Sequence, residues 1–228
     1  MTRRHCCCSP APCCVEDLGI IGFVGSVPSA LNSDCCCNFD VIEDLGVGIS
    51  PLPLAIIDAL FSHVSLGDCS AWSWPFSTAD AALIAAWVFN GGRLFMFDEY
   101  DGCRIHFDPA EYAKFYALWQ VLSGTTVNDD TLYSGCVNYG PTADLTDMPQ
   151  PDVAFGASCS INIGTSATPI AWTDSEKEDV LISGTAYGSG FIFNFADTNI
   201  YGNDCSVITS GYNCGLMRYL MTNPDPLV

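Results

Sequence analysis

Basic side chains are scarce in this chain. Seven lysines and arginines stand against 26 aspartates and glutamates, only Lys114 and Lys177 are lysines, and the formal net charge is −19. A field of that sign repels phosphate backbones and anionic membrane surfaces, so nucleic acid is not an expected partner. Histidine is scarcer still, with His5, His63 and His106, and a nucleophile that needs an imidazole base has few to draw on. No apolar run is long enough to span a bilayer, so no membrane insertion is expected. The glycine-rich exit Gly25-Ser26 is followed by neither G-x-G-x-x-G nor G-K-[ST], so it does not read as a phosphate loop. No internal repeat and no interdomain linker stand out.

What is present is apolar side chain and cysteine. Hydrophobic residues make up 49% and charged residues 14% of 228, the opposite of a disordered composition and enough for one large domain with its own core. Of fourteen cysteines, eight lie in the clusters Cys6-Cys7-Cys8, Cys13-Cys14 and Cys35-Cys36-Cys37. Cys69, Cys103, Cys136, Cys159, Cys205 and Cys214 are scattered. Residues 1–16 read as a cysteine-rich arm without regular structure, and residues 17–228 as a single domain. Neighbouring residues of an extended chain point to opposite sides, so Cys6 and Cys8 can share a partner that Cys7 cannot easily join. The triplets therefore seek several partners, such as each other or another subunit. Three fates compete: disulfide cross-links, ligation of a metal or iron–sulfur cluster, and free thiols. The spacing matches no zinc-finger or ferredoxin pattern. Met-Thr-Arg-Arg-His leads into cysteines rather than an apolar run, so no secretory signal is expected. A protein made in the cytoplasm and later found outside, as in a virus (phage) particle, fits both features.

Along the chain, Leu18–Ser26 is an apolar run of strand length, and Phe39–Glu43 reads as a short second strand. Ser50-Pro51 opens a helix with Leu54, Ile57, Ala59, Leu60 and Phe61 on its buried face, and His63 complements the dipole at its end. Val64–Leu66 reads as a strand leading to Gly67-Asp68. Ser77-Thr78-Ala79-Asp80 caps a helix that is apolar nearly all round and therefore packed; Asn90-Gly91-Gly92 stops it. The strand Arg93–Phe97 follows and leaves through Asp98, Glu99 and Asp101. Asp108-Pro109-Ala110-Glu111 opens a helix closed by Gly124. Residues 125–173 turn irregular and strand-like, with Val153–Phe155 and Ser160–Ile163 as strands. Asp174–Asp179 reads as an exposed charged turn. Val180–Tyr187 and Phe191–Ala196 form a hairpin around Gly188-Ser189-Gly190. A last helix, Tyr212–Met221, ends before Asn223-Pro224.

Three pieces in this order carry a resemblance: Trp87-Val88-Phe89-Asn90-Gly91-Gly92-Arg93-Leu94-Phe95-Met96, then Tyr187-Gly188-Ser189-Gly190-Phe191-Ile192-Phe193-Asn194-Phe195-Ala196-Asp197-Thr198-Asn199, then Asn213-Cys214-Gly215-Leu216-Met217-Arg218-Tyr219-Leu220. Over roughly residues 17–222 the chain resembles the glutamine-amidotransferase-like α/β domains, nearer their ThuA-like branch. The resemblance implies a three-layer, flavodoxin-like sandwich with a mostly parallel central sheet. It does not carry the chemistry over. Active members place a cysteine in a Gly-x-Cys-x-Gly elbow after the strand matching Arg93–Phe97, and here that place reads Phe97-Asp98-Glu99-Tyr100-Asp101-Gly102. Cys103 lies past the turn without glycines on both sides. The His-x-Glu of active members has no counterpart, which leaves Cys103 with His106 as the one pairing to invoke.

Strand exits of a parallel sheet share one rim, where ligands collect. Asp68, Asp98, Glu99, Asp101, Asp197 and Asn199 would converge there and suit a hard cation such as calcium; capping of the following turns is the commoner role of these residue types. Trp72-Ser73-Trp74-Pro75-Phe76 is either an exposed binding patch or a loop folded onto the core. The function these features favour is a non-catalytic structural or assembly protein, a component of a virus particle or other extracellular assembly. Its cysteine clusters would cross-link chains or bind metal, with other proteins or copies of itself as partners. The alternative is a metal-dependent hydrolase or carbohydrate-binding module using the acidic rim.

Overall fold

The computed structural model describes residues 16–17, 20–25, 37–38, 41–44, 63–67, 78–98, 109–133, 137–139, 153–155, 158–173, 178–197 and 214–227. In chain order the elements are β1 (Glu16–Asp17), β2 (Ile20–Gly25), β3 (Cys37–Asn38), β4 (Val41–Asp44), β5 (His63–Gly67), α1 (Thr78–Phe89), β6 (Arg93–Phe97), α2 (Pro109–Ser123), β7 (Thr126–Tyr133), β8 (Val137–Tyr139), β9 (Val153–Phe155), β10 (Ser158–Asn162), β11 (Thr168–Trp172), β12 (Val180–Tyr187), β13 (Gly190–Phe195) and α3 (Cys214–Thr222). The helix expected after Ser50-Pro51 and the aromatic cluster 72–76 lie outside the described residues. His63, expected to complement a helix end, is instead the first residue of β5.

The chain forms an α/β domain around a mixed sheet. Strands β4, β2, β5, β6 and β13 lie side by side and parallel. From β13 onward the pairing is antiparallel, through β12 to β10 and β7, with β11 also on β12. The expectation of a mostly parallel sheet is therefore corrected: four neighbour pairs are parallel and four antiparallel. The reason is connection length. Parallel neighbours need a crossover of a dozen residues or so, which α1 and its flanks supply between β5 and β6. Between β12 and β13 only Gly188 and Ser189 intervene, with Gly188 at a φ of 65°; so short a turn can only reverse the chain.

The two faces of the sheet are covered by different helices. Along β6 and β13 the odd-numbered residues share one face. Phe95 stacks on Phe193 with centroids 5.1 Å apart, Phe97 on Phe195 at 4.4 Å and Phe191 near Phe193 at 6.2 Å. Burying each phenylalanine is worth about 2–3 kcal/mol. The Arg93 guanidinium ends this aromatic row, 5.2 Å from the Phe191 centroid, and donates to the carbonyls of Leu220 and Asn223 at the C-terminus of α3. So α3 packs on this face, with Leu216, Leu220 and Met221 buried. Gly184 lies in register with Phe193, and a Cβ there would meet Leu227 and Ile170. Its missing side chain admits the C-terminal residues onto the sheet.

Helices α1 and α2 cover the other face, joined to it by a polar cluster. Thr125 Oγ1 accepts hydrogen bonds from Trp119 Nε1 and Asn194 Nδ2, each at 2.7 Å. With both lone pairs used, its own proton goes to Ser123 Oγ, 2.7 Å away, which in turn donates to the Trp119 carbonyl. Thr185 Oγ1 donates to the Ser123 carbonyl at 3.2 Å. The end of α2 is thereby tied to β12 and β13. The end of α1 is tied to the hairpin through backbone: Ser189 N–H donates to Phe89 O, Phe191 N–H to Gly92 O, and Gly92 N–H to Trp87 O.

Two changes test this framework. A Cβ at Gly190 would collide with the carbonyl oxygens of Val88 and Gly92, backbone that cannot yield without moving α1. Gly190→Ala is expected to lower unfolding free energy by about 1–3 kcal/mol in a denaturant titration; an unchanged midpoint would mean the hairpin is not pressed against α1. Arg93→Ala removes two charge-assisted bonds from the end of α3 and is expected to cost about 2–3 kcal/mol. Burial lowers the Arg93 pKa from its ordinary value. A base with a lowered folded-state pKa gains stability only as pH rises through that strongly alkaline window. The Arg93→Ala cost should therefore be flat from mildly acidic to neutral pH.

Candidate functional site

Strands β6 and β13 end side by side, with Phe97 in register with Phe195. Asp98 follows Phe97 directly, and Asp197 follows Phe195 after Ala196. Asp98 N–H donates to the Phe195 carbonyl at 2.9 Å, which carries the ladder one residue past the strand. The two carboxylate residues expected at a solvent-facing rim are closed off from water: Asp98 is 3% exposed and Asp197 fully buried. Both interact with their surroundings. A buried carboxylate is tolerated only when partnered, so these residues are part of how the strand ends are packed. Asp68, Glu99, Asp101 and Asn199, the other rim residues, lie outside the described residues, as do Cys103 and His106. Among the described residues no three His, Cys, Asp or Glu side chains come together as a metal ion would require.

On the other flank of β13, Cys159 N–H donates to the Ala196 carbonyl, and Cys159 Sγ lies 3.5 Å from that same oxygen. This thiol is buried and not in a disulfide. It caps the strand end as a small apolar side chain with a weak donor. Scattered along the sequence, it carried no signal of this place. Of the clustered cysteines, Cys37 has a described backbone: it begins β3, paired in parallel with Glu16 of β1. Cys6, Cys7, Cys8, Cys13, Cys14, Cys35 and Cys36 lie outside the described residues.

The second candidate is a surface. Leu83 and Phe89 on α1 are 49% and 58% exposed, and Val121 on α2 is 76% exposed. These are the large exposed hydrophobics among the described residues, and all lie on the two helices that share one face of the sheet. Between them, Ala82, Ala86, Ala113 and Ala117 are exposed as well. No charged side chain is among the described exposed positions of either helix, although the chain carries a net charge of −19. The sequence pattern pointed to a helix packed on all sides at α1; only one side is covered. Among the described residues no helix is long and apolar enough to cross a membrane.

No protein-family model matches the chain, and no curated protein does. Solved structures do resemble it. The N-terminal domain of mmIFT52 is similar with a TM-score of 0.61 at 10% identity, covering 89% of this chain and 97% of that one. Cytoplasmic protein STM3548 from Salmonella typhimurium is similar with a TM-score of 0.53 at 13% identity, covering 88% and 97%. A β-galactosidase from Bacillus circulans sp. alkalophilus is similar with a TM-score of 0.54 at 12% identity, over 90% of this chain but 31% of the enzyme. At such identities the likeness concerns the fold alone.

If Asp197 serves packing, Asp197→Ala should destabilise the protein by about 2–4 kcal/mol, because the interactions of this buried carboxylate are lost. Denaturant unfolding reads this directly. A variant as stable as the parent, or more stable, would mark the carboxylate as held there at a cost, as functional groups often are.

Proposed function

We propose that this protein is a non-catalytic structural or assembly component built on a glutamine-amidotransferase-like, three-layer α/β domain. Its fold would be that of the ThuA-like branch without the nucleophile elbow. The observation that carries the assembly reading is the set of exposed large apolar side chains on α1 and α2, Leu83, Phe89 and Val121. Two copies at −19 each repel over most of their surface, and exposed apolar side chains are where burial between copies gains most. Leu83, Phe89 and Val121 standing among alanines give projections beside shallow gaps, the relief that a twofold contact between copies can interlock. The buried Asp98 and Asp197 favour the same reading, since they offer no open carboxylate pair for hydrolysis. In this reading the clusters Cys6–Cys8, Cys13–Cys14 and Cys35–Cys37 serve as cross-links or metal ligands that fix the assembly. The setting we favour is a virus particle or another extracellular assembly.

Light scattering after size exclusion tests this on the full chain. The parent is expected to form an oligomer under reducing conditions, and Leu83→Glu with Val121→Glu to shift it to monomer while leaving the melting temperature nearly unchanged, because both side chains are exposed. Non-reducing electrophoresis with metal analysis should then show intersubunit disulfides or a stoichiometric metal. A plain monomer with free thiols at every concentration would overturn the proposal.

A further inference from the structure

The joint between α1 and β6 carries a feature unrelated to the strand ends. Asn90-Gly91 is the one Asn-Gly pair of the chain. Both residues are exposed. Gly91 has a φ of 120°, and the space where a Cβ would stand is open. Asparagine before glycine is the pair in which a main-chain nitrogen most readily reaches the preceding side-chain amide. Glycine has no Cβ to hinder the approach and turns easily into the geometry that ring closure needs.

The fold holds this pair from two sides. Asn90 N–H donates to Ala86 O at 3.1 Å, Gly91 N–H to Val88 O at 2.9 Å and Gly92 N–H to Trp87 O at 3.1 Å, which closes the end of α1. The β12–β13 hairpin grips the same turn. Ser189 N–H donates to Phe89 O, one residue before the pair, and Phe191 N–H to Gly92 O, one residue after it. Between these two bonds the Gly190 backbone lies against Val88 O and Gly92 O, with no room for even a Cβ. The Gly91 nitrogen is thereby kept as a hydrogen-bond donor to the helix, and a nitrogen held in that way does not attack.

We propose that Asn90 is a site of spontaneous deamidation whose rate is set by opening of this hairpin clamp. When the bond from Gly91 to Val88 opens, the Gly91 nitrogen gives its proton to hydroxide and attacks Asn90 Cγ. The N–Cγ bond forms, the Cγ–Nδ2 bond breaks, and Nδ2 leaves as ammonia with a proton taken from water. A further water opens the cyclic imide at one of its two carbonyls and returns aspartate or isoaspartate. Nothing is oxidised or reduced, and water is the sole co-reactant. Both products place a carboxylate at the C-terminal end of α1, where the helix dipole disfavours negative charge. Isoaspartate also adds one carbon to the main chain between Phe89 O and Gly92 O, the two atoms that the hairpin holds. The modification therefore loosens the joint that delays it.

Peptide mapping by mass spectrometry, on the full chain held in mildly alkaline buffer, reads the reaction as a gain of one dalton at Asn90. The folded chain is expected to convert at least about tenfold more slowly than the chain in denaturant, in proportion to the population of the open clamp. Gly190→Ala, which presses the hairpin off α1, should speed the folded-state reaction about fivefold or more. Arg93→Ala weakens the opposite face of the sheet and leaves the clamp intact, so its rate should stay within about twofold of the parent. Hydrogen exchange at the Gly91 amide gives the open fraction on the parent without any variant, and should match the ratio of folded to unfolded rates. Asn90→Gln at this exposed position should keep the parent's melting temperature and lose the reaction, because the ring would need one more carbon. The converted parent should melt about 3–6 °C lower, while equally aged Asn90→Gln is unchanged. No gain at Asn90 in the folded chain while the unfolded chain converts, equal folded and unfolded rates, an exchange-derived open fraction that disagrees with the rate ratio, or equal acceleration by Gly190→Ala and Arg93→Ala would overturn the proposal.

Discussion

Strands β6 and β13 pair residue for residue, from Arg93 against Phe191 to Phe97 against Phe195, and this parallel pairing joins the two halves of the sheet. On one side of it every pairing is parallel, and on the other every pairing is antiparallel. The stacked phenylalanines fix the register, because a slip of one residue would turn the aromatic row of each strand to the opposite face. Arg93 then carries the constraint outward. Held at the end of that row, it reaches the last carbonyls of α3 and so positions the whole C-terminal helix. Its desolvation opposes this, and the two carbonyl bonds with the Phe191 ring offset it.

The same joint explains why the strand ends look as they do. With β6 and β13 in register to their last residues, Asp98 and Asp197 leave the sheet from neighbouring strands, one and two residues past the paired phenylalanines. Carboxylates placed there are either paired and enclosed or left open as a site. In this protein they are enclosed, and Cys159 closes the remaining flank. On the opposite face the Thr125 hydroxyl uses both lone pairs and its proton, while Oδ1 of its donor Asn194 is buried without a partner. Among the described residues, the large exposed hydrophobics stand on α1 and α2.

Much of the architecture was legible from local pattern. The glycine pair after Phe89, the apolar run from Arg93 and the Gly188-Ser189-Gly190 turn marked α1, β6 and the β12–β13 hairpin at or within a residue of their observed bounds. The site was less legible, for physical reasons. An aspartate after a strand has the same sequence signature whether it faces water or is enclosed, since enclosure depends on side chains from other strands. Residues 125–173 read as irregular and strand-like, with β10 legible as Ser160–Ile163 but β7 and β11 not, because these strands are rich in polar and small residues and register shifts near Ser158, Pro169 and Ala171 break the alternation a strand is recognised by.

The sequence by itself determined the balance of charge, the scarcity of bases, the acidic run after Phe97, and the positions of most helices and strands. These follow from side-chain chemistry and from periodicities carried by neighbouring residues. Tertiary structure alone decided which face of α1 would be covered, that Asp98 and Asp197 would be buried, and that Trp172 would come beside Val180 with Glu178 and Asp179 next to it. Those outcomes depend on pairing between residues distant in the chain, and no local pattern records which strands will meet.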